Sequence, residues 1–85
     1  MEIVDKIETF AADIYFKLPD ELNKDFVDIC TELSDFFDKN FQDNPEVLQQ
    51  KNILLNYLLE VMQTKDYIRM ADALYYKVKP ILGEA

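Results

Sequence analysis

Carboxylates are the most numerous ionisable side chains in this chain, with seventeen Asp and Glu residues among 85. Five of them recur at steps of four and three residues, a spacing that lines up side chains along one side of a helix. We call this set the acidic stripe, and it consists of Glu21, Asp25, Asp28, Glu32 and Asp35. Neighbouring carboxylates can act as a general acid and base or can hold a metal ion.

The residue types that usually accompany carboxylates in active sites are missing. The chain has no histidine, which excludes the commonest general base and the histidine-based zinc and di-metal sites. One cysteine and one glycine exclude a four-cysteine zinc site and glycine-rich phosphate loops. Asp13 and Asp72 stand beside alanines and could place an acid inside a helical bundle, but we expect them to be exposed or capping. We therefore expect no catalytic residue, cofactor or metal, and a protein that is not an enzyme.

The acidic stripe then has a structural and a functional interpretation. It could be a solvated face, or it could be a docking surface for a basic partner, including mimicry of nucleic-acid phosphates. Like charges at this spacing repel, and Lys24 and Lys39 are the nearest cations in sequence that could relieve the repulsion. The net charge of −8 disfavours direct binding to nucleic acid and to an anionic membrane.

The most apolar stretch, residues 52–62, predicts a helix with polar residues only along the narrow strip of Asn52, Asn56 and Glu60. Such a helix needs cover on most sides, so we expect it at the centre of the fold. With one glycine and no hairpin turn signal, the chain is expected to be all-α. The prediction is a four-helix up-and-down bundle that forms a single domain over residues 1–85.

Proline and capping residues set the predicted boundaries. Pro19 suits a first helical position, Asn44 followed by Pro45 is typical of a helix start, and Asp66 or Thr64 can cap the next helix. Pro80 should kink or tighten the last turn, and Gly83 can end it. The four predicted helices run from Glu2 to Lys17, from Pro19 or Asp20 to Asn40, from Pro45 to Gln63, and from Tyr67 to Ile81.

The last two predicted helices carry more apolar surface than four short helices can cover. Tyr67, Tyr75 and Tyr76 are therefore candidate partner-binding residues beside the acidic stripe, either for self-association or for another protein. The alternative is that they are ordinary core residues and amphipathic tyrosines.

The single cysteine, Cys30, lies on an apolar helical face and is expected to be an inert core thiol. The first residues show no basic region followed by an apolar stretch, so no signal peptide is expected. Both features favour a cytoplasmic protein.

A pattern in the last 35 residues is similar to one in known proteins. It consists of Lys65, Asp66, Tyr67, Ala71, Asp72, Leu74, Tyr76 and Pro80. This run resembles the C-terminal hairpin of small uncharacterised helical proteins of Gram-positive bacteria. The resemblance implies a helical fold and no particular activity, and it does not extend to residues 1–50. Lys77 departs from the pattern, which usually has an acid there.

The sequence favours a small acidic cytoplasmic bundle that binds protein without catalysis, and a homodimer is one form this could take. The alternative is an acidic inhibitor or nucleic-acid mimic that blocks a basic protein.

Overall fold

The chain folds into four antiparallel rods in a computed structural model, which describes residues 2–84. Its helices are α1 (Glu2–Asp13), α2 (Pro19–Asn40), α3 (Pro45–Gln63), α4 (Tyr67–Ala73) and α5 (Lys79–Glu84), with a π-helical turn (Leu74–Val78) joining α4 to α5. α2 packs against α1 and α3, and α4 closes the ring by contacting α3 and α1. The predicted all-α four-helix bundle is confirmed.

Three of the predicted helix starts are confirmed, two of them with a capping side chain. Pro19 occupies the first turn of α2. The Asn44 side chain accepts a hydrogen bond from the Val47 N–H at 3.3 Å, and the Asp66 side chain accepts one from the Arg69 N–H at 3.1 Å. These bonds satisfy backbone donors that have no partner within the helix itself.

The predicted end of the first helix is wrong by four residues, because α1 stops at Asp13 rather than at Lys17. A single further turn follows, in which the N–H groups of Phe16 and Lys17 both donate to the Asp13 carbonyl at 2.9 Å. Leu18 is already extended, as expected for a residue before proline. Ile14 of this turn packs against the core, but Tyr15 and Phe16 are largely exposed, so little burial stabilises a longer helix.

The last rod departs from the single helix that the sequence predicted. The Lys79 N–H donates to the Leu74 carbonyl five residues earlier, which widens the turn rather than tightening it. Pro80 has no N–H to donate to the carbonyl of Tyr76, and the wider turn accommodates this gap in the α-helical pattern. Gly83 lies inside α5 and does not end the helix as expected.

α2, not α3, contributes most to the core. Five buried side chains belong to α2, namely Leu22, Phe26, Ile29, Leu33 and Phe37. On α3 only Leu58 and Val61 are buried, while Ile53 is 64% exposed and Leu59 is 44% exposed. The expectation of a central α3 is therefore wrong. In a ring of four rods each helix packs on two neighbours, so one side of every helix faces solvent. This holds even for α3, the most apolar helix.

None of the helices in the described part of the chain is long and apolar enough to cross a membrane.

Candidate functional site

An apolar groove runs along the outside of the bundle between α2 and α3. Val27 and Cys30 form its α2 wall, and Leu55, Leu59 and Met62 form its α3 wall. We call these five residues the α2–α3 groove. Val27 is 45% exposed and Leu59 is 44% exposed, so the groove presents apolar surface to solvent.

Helical spacing explains why these side chains meet. Leu55, Leu59 and Met62 are separated by four and three residues and so lie along one side of α3. Val27 and Cys30 are likewise three residues apart on α2. Both rows lie next to the buried face of their own helix, which makes each helix apolar over a wider arc than the core can cover.

The polar residues that complete the groove include both charged and uncharged side chains. Thr31 and Ser34 lie along the central part, and the Thr31 hydroxyl donates to the Val27 carbonyl at 3.0 Å. Lys24 and Lys65 line one end, and Asp35 lines the other. Asp28 also lines the lysine end, four residues along α2 from Lys24.

Cys30 was expected in the core, but it forms part of the groove wall at the edge of the core. It is half-buried and packs against the core, and this burial raises the pKa of its thiol to about 11. At neutral pH the side chain is therefore a neutral thiol, which is a weak nucleophile and a poor metal ligand.

Two residues of the acidic stripe form ion pairs with lysines of α1 and of the connection that follows it. Lys6 donates a hydrogen bond to Glu32, and Lys17 binds Asp25 at 2.9 Å and Asp13 at 3.3 Å. The five carboxylates share one side of α2 as predicted. The expectation that only Lys24 and Lys39 could relieve their repulsion is wrong, because that side of α2 packs beside α1.

These pairs shift the titration of the lysines. The hydrogen bond to Glu32 raises the pKa of Lys6, and the hydrogen bonds to Asp25 and then Asp13 raise the pKa of Lys17. Both lysines therefore stay charged throughout the physiological pH range.

The other members of the acidic stripe, Glu21, Asp28 and Asp35, are exposed. Asp28 and Asp35 also line the α2–α3 groove. The structure thus divides the predicted docking stripe: two members pair with lysines, two border the groove, and Glu21 lies outside both parts. Less of the stripe is available to a basic partner than its five carboxylates suggested.

The three candidate tyrosines lie on the last rod and do not join the acidic stripe. Tyr67 is half-buried against the core. Tyr75 and Tyr76 contact each other edge to face with ring centroids 5.2 Å apart, and Tyr76 is the more exposed of the two. Lys79 lies 4.3 Å from the centre of the Tyr75 ring and also binds Glu8 of α1 at 2.9 Å. Tyr75 therefore helps to hold the last rod against α1.

A second exposed apolar cluster, which the sequence did not predict, lies in the connection between α1 and α2. Tyr15, Phe16 and Leu18 are largely exposed there, Phe16 to 85%. The predicted first helix included Tyr15 and Phe16, but neither residue was assigned to its apolar seam or considered as exposed apolar surface.

No group of three or more cysteine and carboxylate side chains within residues 2–83 could hold a metal ion. Asp72 is exposed, and Asp13 is half-buried in its ion pair with Lys17. Neither acid is enclosed in the bundle.

Comparisons of the chain with known protein families, with curated proteins and with solved structures found no match.

Proposed function

We propose that this chain is a non-enzymatic protein–protein interaction module of the cytoplasm and that the α2–α3 groove is its binding surface. The observation that carries this proposal is the row of apolar side chains that lines the groove and stays partly exposed, with Val27 45% and Leu59 44% exposed. Exposed apolar surface that is continuous and rimmed by polar residues marks protein-binding sites.

Burial of the groove would supply the binding free energy. Covering apolar surface contributes about 25 cal/mol per Å² removed from water, and Val27 and Leu59 both offer such surface. The hydroxyls of Thr31 and Ser34 cost less to desolvate than carboxylates at the same positions would. A groove between two helices has the shape that accepts an amphipathic helix of a partner.

The unpaired Cys30 and the apolar lining of the groove support this proposal better than the acidic inhibitor or mimic. A mimic needs its carboxylates free, and two of the five bind lysines of their own chain. A half-buried neutral thiol in a protein-binding groove is compatible with a reducing cytoplasm.

The test compares two arginine substitutions on α3 in affinity capture from an extract of the source cells. Leu59→Arg places a charge in the groove. Ile53→Arg is the matched control, because position 53 is also exposed but lies about 120° away around the helix axis. Both variants should fold, as judged by circular dichroism.

Proteins that bind the groove should be recovered with the wild-type chain and with Ile53→Arg but lost with Leu59→Arg. Equal recovery with all three chains, or loss with Ile53→Arg alone, would rule out the α2–α3 groove as the binding surface.

A further inference from the structure

The charges at the two ends of the α2–α3 groove are opposite in sign, and this asymmetry indicates what could cover the groove. Lys24 and Lys65 line the end formed by the start of α2 and the end of α3. Asp35 lines the other end. Lys24 and Asp35 are both exposed and are separated by eleven residues of α2, a rise of about 16 Å.

A second copy of the chain can meet this groove in two symmetric ways, because two-fold symmetric pairs are the commonest homo-oligomers. An axis parallel to the helices would place the lysine end of one copy against the lysine end of the other. An axis perpendicular to the helices reverses one copy, so that each lysine end faces the aspartate end of the other copy. The charges therefore select the perpendicular axis.

The remaining groove residues are compatible with this arrangement. When Lys24 lies opposite Asp35 in an antiparallel pair of α2 helices, position 28 falls opposite position 31. Asp28 then lies opposite Thr31, an uncharged residue whose hydroxyl donates to the Val27 carbonyl of its own helix. Neither Asp28 nor Asp35 lies opposite an acidic residue in this register, so the surface can pair with itself despite the net charge of −8.

The size of the bundle is sufficient for such a contact. Its extents are 40 × 24 × 18 Å. The area of one of its long faces is therefore of the same order as the ~800 Å² that each partner buries in a stable interface.

We propose that a second copy of this chain occupies the α2–α3 groove, related by a two-fold axis perpendicular to α2, with Lys24 of each copy opposite Asp35 of the other. This inference rests on the proposed function, in which the groove binds protein, and it names the partner.

The experiment uses two opposite charge reversals, Lys24→Glu and Asp35→Lys, measured separately and as an equimolar mixture by sedimentation and native mass spectrometry. Each variant alone places two like-charged pairs in its homodimer, so its dissociation constant should rise about tenfold. In the mixture, the Glu at position 24 of the first variant faces Asp35 in its own homodimer and the Lys at position 35 of the second variant in the heterodimer. Only the heterodimer restores two opposite-charge pairs, so heterodimers should dominate the mixture at wild-type affinity.

Glu21→Lys is the matched control for net charge. It makes the same charge change as Asp35→Lys on the same exposed side of α2, outside the groove. It should not raise the dissociation constant. Phe16→Arg tests the exposed cluster between α1 and α2 and should likewise leave the dimer intact.

A wild-type chain that stays monomeric at millimolar concentration would overturn the inference. So would homodimers that both reversals leave unchanged, a mixture without heterodimer preference, or a dimer that Phe16→Arg disperses. If the chain is monomeric while Leu59→Arg still loses partners that Ile53→Arg retains, the copy-to-copy contact fails but the protein-binding function stands.

Discussion

Lys6 and Glu32 lie 26 positions apart in the chain, yet they form a hydrogen-bonded ion pair between α1 and α2. Lys17, in the connection between the two helices, forms a second pair with Asp25 at 2.9 Å. The sequence predicted that the carboxylates share one side of α2, because spacing within a helix is a local property. It did not predict their partners, because which helix packs on that side depends on the arrangement of the whole bundle.

These pairs should make the free energy of unfolding decrease at alkaline pH. The folded-state pKa values of Lys6 and Lys17 lie above the ordinary value of 10.5. Their stabilising effect is therefore fully present below that value and is lost as the pH rises through the raised pKa values. Urea unfolding should show the free energy of unfolding of the wild-type chain falling in this range.

The double variant Lys6→Arg/Lys17→Arg is the control, because arginine stays charged there. Its free energy of unfolding should fall less steeply, and the tyrosines, which titrate in both chains, cancel in the comparison. Identical pH profiles would show that these pairs contribute nothing to stability.

α3 illustrates which helix properties a sequence determines and which it does not. Its bounds, Pro45–Gln63, and its Asn44 cap were predicted because proline and a capping side chain act locally. Its orientation was predicted only in part. The narrow polar strip of Asn52, Asn56 and Glu60 faces solvent, but the apolar residues on both sides of the strip do not show how far the exposed side extends. The α2–α3 groove was missed for this reason, since the apolar residues beside the strip were expected to be covered by other helices.

Two adjacent leucines of α3 test this orientation. Leu58 is fully buried and Leu59 is 44% exposed. Leu58→Ala should lower the free energy of unfolding by about 3 kcal/mol, since it leaves a cavity in the core. Leu59→Ala should lower it by less than about 1 kcal/mol at concentrations too low for self-association. Equal losses in urea unfolding would mean that α3 is rotated from its described position.

Lys65 lies just after the end of α3 and has a φ of 57°. Among residues 2–84 it is the one residue other than glycine with a positive φ. A Cβ is unfavourable in this left-handed region, and glycine adopts it freely. Lys65→Gly should therefore raise the free energy of unfolding by roughly 0.5–1 kcal/mol, after the greater freedom of the unfolded glycine is included.

Lys65→Ala separates this backbone effect from the loss of the charged side chain. Alanine removes the same charge but keeps the Cβ, so it should not stabilise the chain in thermal or urea unfolding. A gain of equal size in both variants would assign the effect to the charge instead.

The bundle as a whole explains why an acidic chain keeps an apolar groove. The ion pairs of Lys6 and Lys17 lie on the α1 side of α2, and one ion pair, between Asp38 and Lys51 at 2.7 Å, joins α2 to α3. Apolar residues remain exposed where α2 meets α3. The sequence predicted the class of fold and a surplus of apolar surface, but it placed that surface on α3 and the last rod. The structure instead places the continuous part of it between α2 and α3, where two incompletely covered helices lie side by side.

Light scattering after size exclusion, over a range of protein concentrations, tests most directly whether the α2–α3 groove binds a second copy of the chain. The mass of the wild-type chain should rise with concentration from 10.0 kDa towards twice that value. Ile53→Arg should behave in the same way, and Leu59→Arg should remain at the monomer mass. A wild-type chain that stays at the monomer mass throughout, or a Leu59→Arg variant that dimerises as readily as the wild type, would contradict the account.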